Sequence, residues 1–96
     1  MPLYATTYRY VDDSDALDAI RPTHRAYLGD LTERGSLVMS GPYVGGAAGA
    51  LLVLEADDED AARALTAADP FVQAGLVPEI TVREWNVVLG RLVSSI

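Results

Sequence analysis

The chain has no cysteine, and that absence removes a good deal of chemistry at once. No disulfide, thiolate metal site or cysteine nucleophile can be built. A small domain without disulfides suits a reducing cytoplasm better than an oxidising compartment, so a cytoplasmic protein is expected. Long hydrophobic runs are also missing. The most extended near-apolar stretch, Ala47 to Leu54, is far short of the ~20 residues that a membrane-spanning helix needs. The opening Met-Pro-Leu-Tyr-Ala has neither the basic flank nor the apolar segment of a signal peptide. Basic residues are scarce, 7 against 14 acids, for a net charge of −7. Such a surface repels nucleic-acid phosphates and anionic lipid, so neither nucleic acid nor membrane is expected as a partner. The single histidine, His24, has no second histidine with which to bind zinc. Gly45-Gly46-Ala47-Ala48-Gly49 is no phosphate loop, because it joins two strands and precedes no helix. No serine sits on a nucleophile elbow, and the basic–aromatic interleaving of RNA-binding sheets is missing. Neither a cofactor nor a metal is expected.

What is there is apolar. Hydrophobic residues make up 50% of the 96, enough for the core of one domain spanning residues 1–96. A chain this short buries only ~60–65% of its unfolded surface, and association is a common remedy.

The residue pattern reads β-α-β-β-α-β. Leu3 to Val11 is rich in Tyr and Thr and alternates, with Tyr4, Thr6, Tyr8 and Tyr10 on one face. From Leu17 a helical period takes over through Ile20, His24, Tyr27, Leu28 and Leu31. Pro22 interrupts it, so a helix end or kink at Arg21 is expected, with a second start in which Pro22 occupies the first turn. Gly35 is the expected C-terminal cap. Ser36 to Tyr43 is a second strand, Gly45-Gly46 a turn, and Gly49 to Glu55 a third strand that is apolar on both faces. Asp57 or Asp58 caps a second helix, and the acidic run Asp57 to Asp60 reads as its solvated start. Asp69-Pro70 ends that helix. Phe71 to Gly75 is a short turn or a single helical turn, and Leu76 to Asn86 holds the fourth strand. This order is that of a ferredoxin-like α+β fold: a four-stranded antiparallel sheet with two helices on one face. The other face lacks a polar surface, since strand three is apolar on both sides and strand one carries three tyrosines on one side. A homodimer through the open sheet face is therefore expected.

Four places carry candidate chemistry. His24 lies on the apolar helix face, where it is either a satisfied structural side chain or an acid–base group. Asp69 is either an ordinary helix stop or the orienting partner of His24, because both helices lie on the same sheet face. Ser40-Gly41-Pro42 is either a plain turn or a ligand-facing hydroxyl beside accessible backbone. Arg21, one helical turn before His24, is either a surface cation or a clamp for a substrate carboxylate or phenolate.

These residues form a pattern: Arg21-x-x-His24-x-x-Tyr27-Leu28, Gly35-x-Leu37, Ser40-Gly41-Pro42, Gly49-x-Leu51-x-Val53, and Ala68-Asp69-Pro70-Phe71-Val72-x-Ala74-Gly75-Leu76. The chain resembles the YciI-like (YCII-related domain) family, from strand one to Trp85. The resemblance implies a ferredoxin-like fold of the dimeric α+β barrel type, and an active site around a His–Asp pair that maps onto His24 and Asp69. One branch of that family is associated with dehydrochlorination of a chlorinated hydroxyquinol, an elimination that needs acid–base help and no cofactor. The connection Val44 to Ala48 is shorter than the polar loop that many relatives carry.

Two functions follow as expectations. The first is a cofactor-independent enzyme for elimination or isomerisation of a small cyclic or aromatic molecule. His24 and Asp69 would be catalytic; Arg21, Ser40, Gly41, Pro42 and Phe71 would bind substrate. The second is a non-catalytic small-molecule-binding or interaction domain of a homodimer. Loss of turnover in His24→Ala separates the two.

Overall fold

A computed structural model describes residues 1–96. Strands β1 (Leu3–Arg9), β2 (Leu37–Pro42), β3 (Gly49–Glu55) and β4 (Glu79–Trp85) form one antiparallel sheet in the order β2-β3-β1-β4. Helices α1 (Ser14–Glu33) and α2 (Glu59–Ala67) and a single turn, α3 (Pro70–Gln73), complete the α+β fold, and a 3-10 turn at Val93–Ser95 follows β4. The expected order and the ferredoxin-like topology are both present. No helix is long and apolar enough to cross a membrane.

Helix α1 begins where the Asp13 side chain accepts the Ala16 N–H, and it closes where Gly35, at φ 78°, takes a left-handed conformation that favours glycine. Contrary to expectation it does not end or restart at Pro22; it runs unbroken for 20 residues. Proline removes one hydrogen bond to the preceding turn. Leu17 before it and His24 and Leu31 after it are all buried on one face. Packing on both sides of the proline favours one continuous helix.

The core lies between the helices and one sheet face. Tyr4, Tyr8, Leu52, Leu54 and Val82 from the sheet meet Leu17, Leu31, Ala62 and Phe71 from the helices. Helix α1 lies against β2 and α2 against β4. The tyrosines of strand one are a correction to the expected open face, because Tyr4 and Tyr8 point into this helix-covered core. Leu52 and Leu54 are inward residues of β3 and occupy the same side as Tyr4 and Thr6 in the ladder, so the tyrosines follow them inward. The open face instead carries Met39, Leu51 and Trp85, each substantially exposed, which border an apolar groove of about 340 Å³. Where β3 begins, Gly49 lies so close to β1 that a Cβ would stand 2.4 Å from the Tyr8 carbonyl oxygen.

Candidate functional site

The local chain explains how Asp69 reaches the core. A residue before proline is driven to extended backbone, and Asp69 sits at φ −68°, ψ 128° ahead of Pro70. Pro70 opens α3 at a position that needs no N–H donor, and Asp69 is its N-cap. Asp69 Oδ1 accepts the Phe71 N–H at 2.9 Å. The same oxygen lies 2.8 Å from His24 Nδ1, while Oδ2 accepts the Tyr8 hydroxyl at 2.9 Å. The two readings of Asp69 therefore coincide: it ends the helix and holds the histidine. With 0% exposure the carboxylate would be costly without these bonds.

The partners fix proton positions. The Phe71 N–H donates by necessity. Burial, then the Asp69 charge and the bond to it, pushes the Tyr8 hydroxyl far above its ordinary range, so it too stays a donor. A carboxylate is acceptor-only, and His24 Nδ1 therefore carries its hydrogen toward Asp69. In the tautomer so fixed, the lone pair of the imidazole sits on Nε2. That nitrogen makes no hydrogen bond in the chain, and no buried side-chain nitrogen or oxygen lacks a partner, so Nε2 has access to solvent.

The access is to a cavity of about 180 Å³ between α1 and the β2–β3 half of the sheet. Arg21, His24, Arg25 and Leu28 of α1 form one wall, and Ser40, Gly41 and Pro42 of β2 form another. Ala50 and Leu52 make the floor, and Tyr10 closes one end. Burial, then the Asp69 charge, pushes the Tyr10 hydroxyl up to about 12 against the opposing pull of Arg21.

Six of the seven residues expected at the site thus meet at the pair or the cavity. Phe71 is the correction. It is fully buried and does not line the cavity. Its ring stacks on the His24 imidazole, 4.0 Å between centroids and 17° between planes, so it backs the histidine instead of touching a ligand. Tyr10 packs edge-on against the same ring at 5.4 Å, and the Arg21 guanidinium stands 5.8 Å from its centroid. Sequence reasoning missed Tyr8, Tyr10 and Arg25. The alternation that put Tyr8 and Tyr10 on one strand face was a usable signal, had that face been assigned to the helices. Arg25 follows Arg21 by one helical turn, which was also legible. No three His, Asp or Glu side chains converge in a way that could hold a metal ion.

Comparison with known proteins agrees with this architecture. The YCII-related domain matches residues 2–86. Protein YciI of Escherichia coli O6:H1 and of Shigella flexneri are each 30% identical to the chain, over 78% of it and 89% of their own length. Among solved structures, 5-chloro-2-hydroxyhydroquinone dehydrochlorinase from Burkholderia phenoliruptrix, in complex with 2,5-dihydroxybenzoquinone, is similar at TM-score 0.77 and 25% identity, covering 88% of this chain and 93% of that one. An antibiotic biosynthesis monooxygenase shares the fold alone, at TM-score 0.56 and 14% identity, covering 93% of this chain and all of its own.

Proposed function

The chain belongs to the YCII-related domain family, and on that footing we propose that it is a cofactor-independent enzyme of the cytoplasm that performs acid–base chemistry on a small cyclic or aromatic molecule. One observation carries the reading: a histidine whose Nδ1 is held by a buried carboxylate, with Nε2 free at a cavity. An imidazole in this arrangement can take a proton at Nε2 while Nδ1 stays bonded to the carboxylate.

The chemistry that these groups supply is simple. Nε2 takes a proton from a C–H or O–H of the substrate. Nδ1–H stays on Asp69, whose charge faces the imidazolium so formed. The electron pair left on the substrate expels a leaving group in an elimination, or shifts a double bond in an isomerisation. In the second case Nε2–H returns its proton to another substrate atom. Arg21 and Ser40 position a substrate oxygen, and Leu28, Pro42 and Leu52 hold the ring. The similar dehydrochlorinase acts on a hydroxylated ring, which supports the elimination class.

Turnover of hydroxylated and halogenated ring compounds, followed by ultraviolet absorbance, tests the reading. His24→Ala should lower the rate by ~10²-fold or more while circular dichroism stays unchanged. Unchanged turnover rules the role out.

The same proposal includes a homodimer. Met39, Leu51 and Trp85 give the open face an apolar patch that a second sheet would cover. Sedimentation at micromolar concentration should give twice 10.3 kDa, and Leu51→Arg should return the monomer. A monomeric unaltered protein sinks this part.

A further inference from the structure

The cavity beside His24 is lopsided in its hydrogen bonding. Apart from the imidazole, its polar side chains are Arg21, Arg25, Tyr10 and Ser40. Both guanidiniums are donors only. Burial keeps the Tyr10 hydroxyl protonated at neutral pH, since its pKa is pushed up to about 12. Neither the Tyr10 nor the Ser40 hydroxyl is engaged within the chain, whose hydroxyl bonds are made by Thr6, Thr7, Tyr8, Tyr27, Thr32, Thr66 and Thr81. The cavity therefore offers four donor groups and one strong side-chain acceptor, His24 Nε2.

Its charge is equally one-sided. The chain carries −7, yet no carboxylate side chain lines this cavity. Arg25 has no ion-pair partner among the chain's salt bridges. Arg21 has only the solvent-exposed Asp18, at 3.3 Å. Arg21 and Arg25 stand four residues apart on one helix, where like charges repel each other. A bound anion would offset that repulsion.

We infer that the cavity takes its ligand as an oxyanion, and that Arg25 with Arg21 selects the charged form of an acceptor-rich single-ring compound over its neutral counterpart. The inference rests on the reading above for the place of binding, not for the chemistry. The size agrees: a cavity of about 150 Å³ accommodates a benzene ring, and this one is about 180 Å³. Leu28, Pro42, Ala50 and Leu52 suit the ring faces, and the arginines suit its oxygens. Arg25 is thereby a specificity-determining residue.

Titration calorimetry at neutral pH tests this with two probes of one ring size: 2,5-dihydroxybenzoquinone, which is ionised there, and hydroquinone, which is not. The unaltered protein should bind the anion at least about tenfold more tightly. Arg25→Gln should weaken anion binding about tenfold and change hydroquinone binding by less than about twofold. Arg25→Lys should fall between. Arg34→Gln, at the C-cap of the same helix and outside the cavity, should change neither and so controls for net charge. Failure of the unaltered protein to bind or prefer the anion overturns the inference, as does equal loss of both probes in Arg25→Gln. Full anion affinity in Arg25→Gln overturns it too, whatever becomes of turnover. Tight anion binding without any turnover fails the catalytic reading and leaves this one standing.

Discussion

The hydroxyl of Tyr8 and the imidazole of His24 hold opposite oxygens of one fully buried carboxylate, at 2.9 and 2.8 Å. Asp69 thus ties the first strand to the first helix, across 61 residues of sequence on one side and 45 on the other. In the proposed function Asp69 orients the base; in the fold it is a structural bolt, and the two roles separate under mutation.

Tyr8→Phe keeps the ring and removes the hydroxyl, leaving Oδ2 of Asp69 buried without a partner. Such a loss costs ~1–3 kcal/mol. Chemical denaturation should show it as a lower midpoint with an unchanged slope. Catalysis should fall much less than in His24→Ala, because Nδ1 keeps its contact with Oδ1. A loss of activity equal to that of His24→Ala would place Tyr8 in the chemistry itself.

Asp69→Asn preserves shape but removes the obligate acceptor. The amide can donate to Nδ1 and shift the imidazole hydrogen to Nε2, the wrong atom for a base. Turnover should drop by ~10²–10⁴-fold, the range set by general-base loss and by the wrong tautomer. Because His24 is the only histidine, nitrogen NMR of the imidazole reads the tautomer without ambiguity. Nδ1–H in the unaltered protein and Nε2–H in the variant is the expected result; the same tautomer in both refutes it.

Alkali should weaken the fold through the tyrosines around Asp69. Burial and then the Asp69 charge raise Tyr10 to about 12 and Tyr8 further, from an ordinary 10.0. A raised pKa means that the folded state holds its proton more tightly than the unfolded state. The stability so contributed is complete below about pH 10 and is lost as pH rises toward 12 and beyond. Melting temperature should therefore decline across that window, and Tyr10→Phe should make the decline shallower. An identical decline in the variant would remove Tyr10 from the cause.

Gly49→Ala and Gly41→Ala should behave oppositely. At Gly49 the new methyl meets the Tyr8 carbonyl at 2.4 Å, backbone that cannot step aside cheaply. Overpacking of this kind costs ~1–3 kcal/mol. At Gly41 nothing lies within 4 Å of the new atom, so the midpoint of unfolding should hold. Equal midpoints for the two variants would show that β1 and β3 part more easily than this contact implies.

Much of the architecture was readable along the chain. The alternation of Leu3 to Val11, the double-sided hydrophobicity of Leu51 to Leu54 and the helical spacing of Leu17 to Leu31 each express a local period, and the β-α-β-β-α-β order follows from them. Pro22 was misleading because the cost of one missing helical bond is local, while the burial of Leu17, His24 and Leu31 that outweighs it is not. The tyrosines of strand one were assigned to the open side for a related reason. Alternation says which residues share a face, but not which face the helices cover.

The residue types at positions 24 and 69 determined by themselves what acid–base chemistry is available, and the proline at 70 determined that the carboxylate before it would sit on extended backbone at a helix start. Those are properties of single residues and their immediate neighbours. Only the tertiary structure decided that Tyr8 would share the carboxylate, that Phe71 would stand behind the imidazole and not before it, and that Arg25 would border the cavity without a counter-ion. These depend on the crossing of α1 over the β2–β3 half of the sheet, a long-range packing choice that no window of sequence contains.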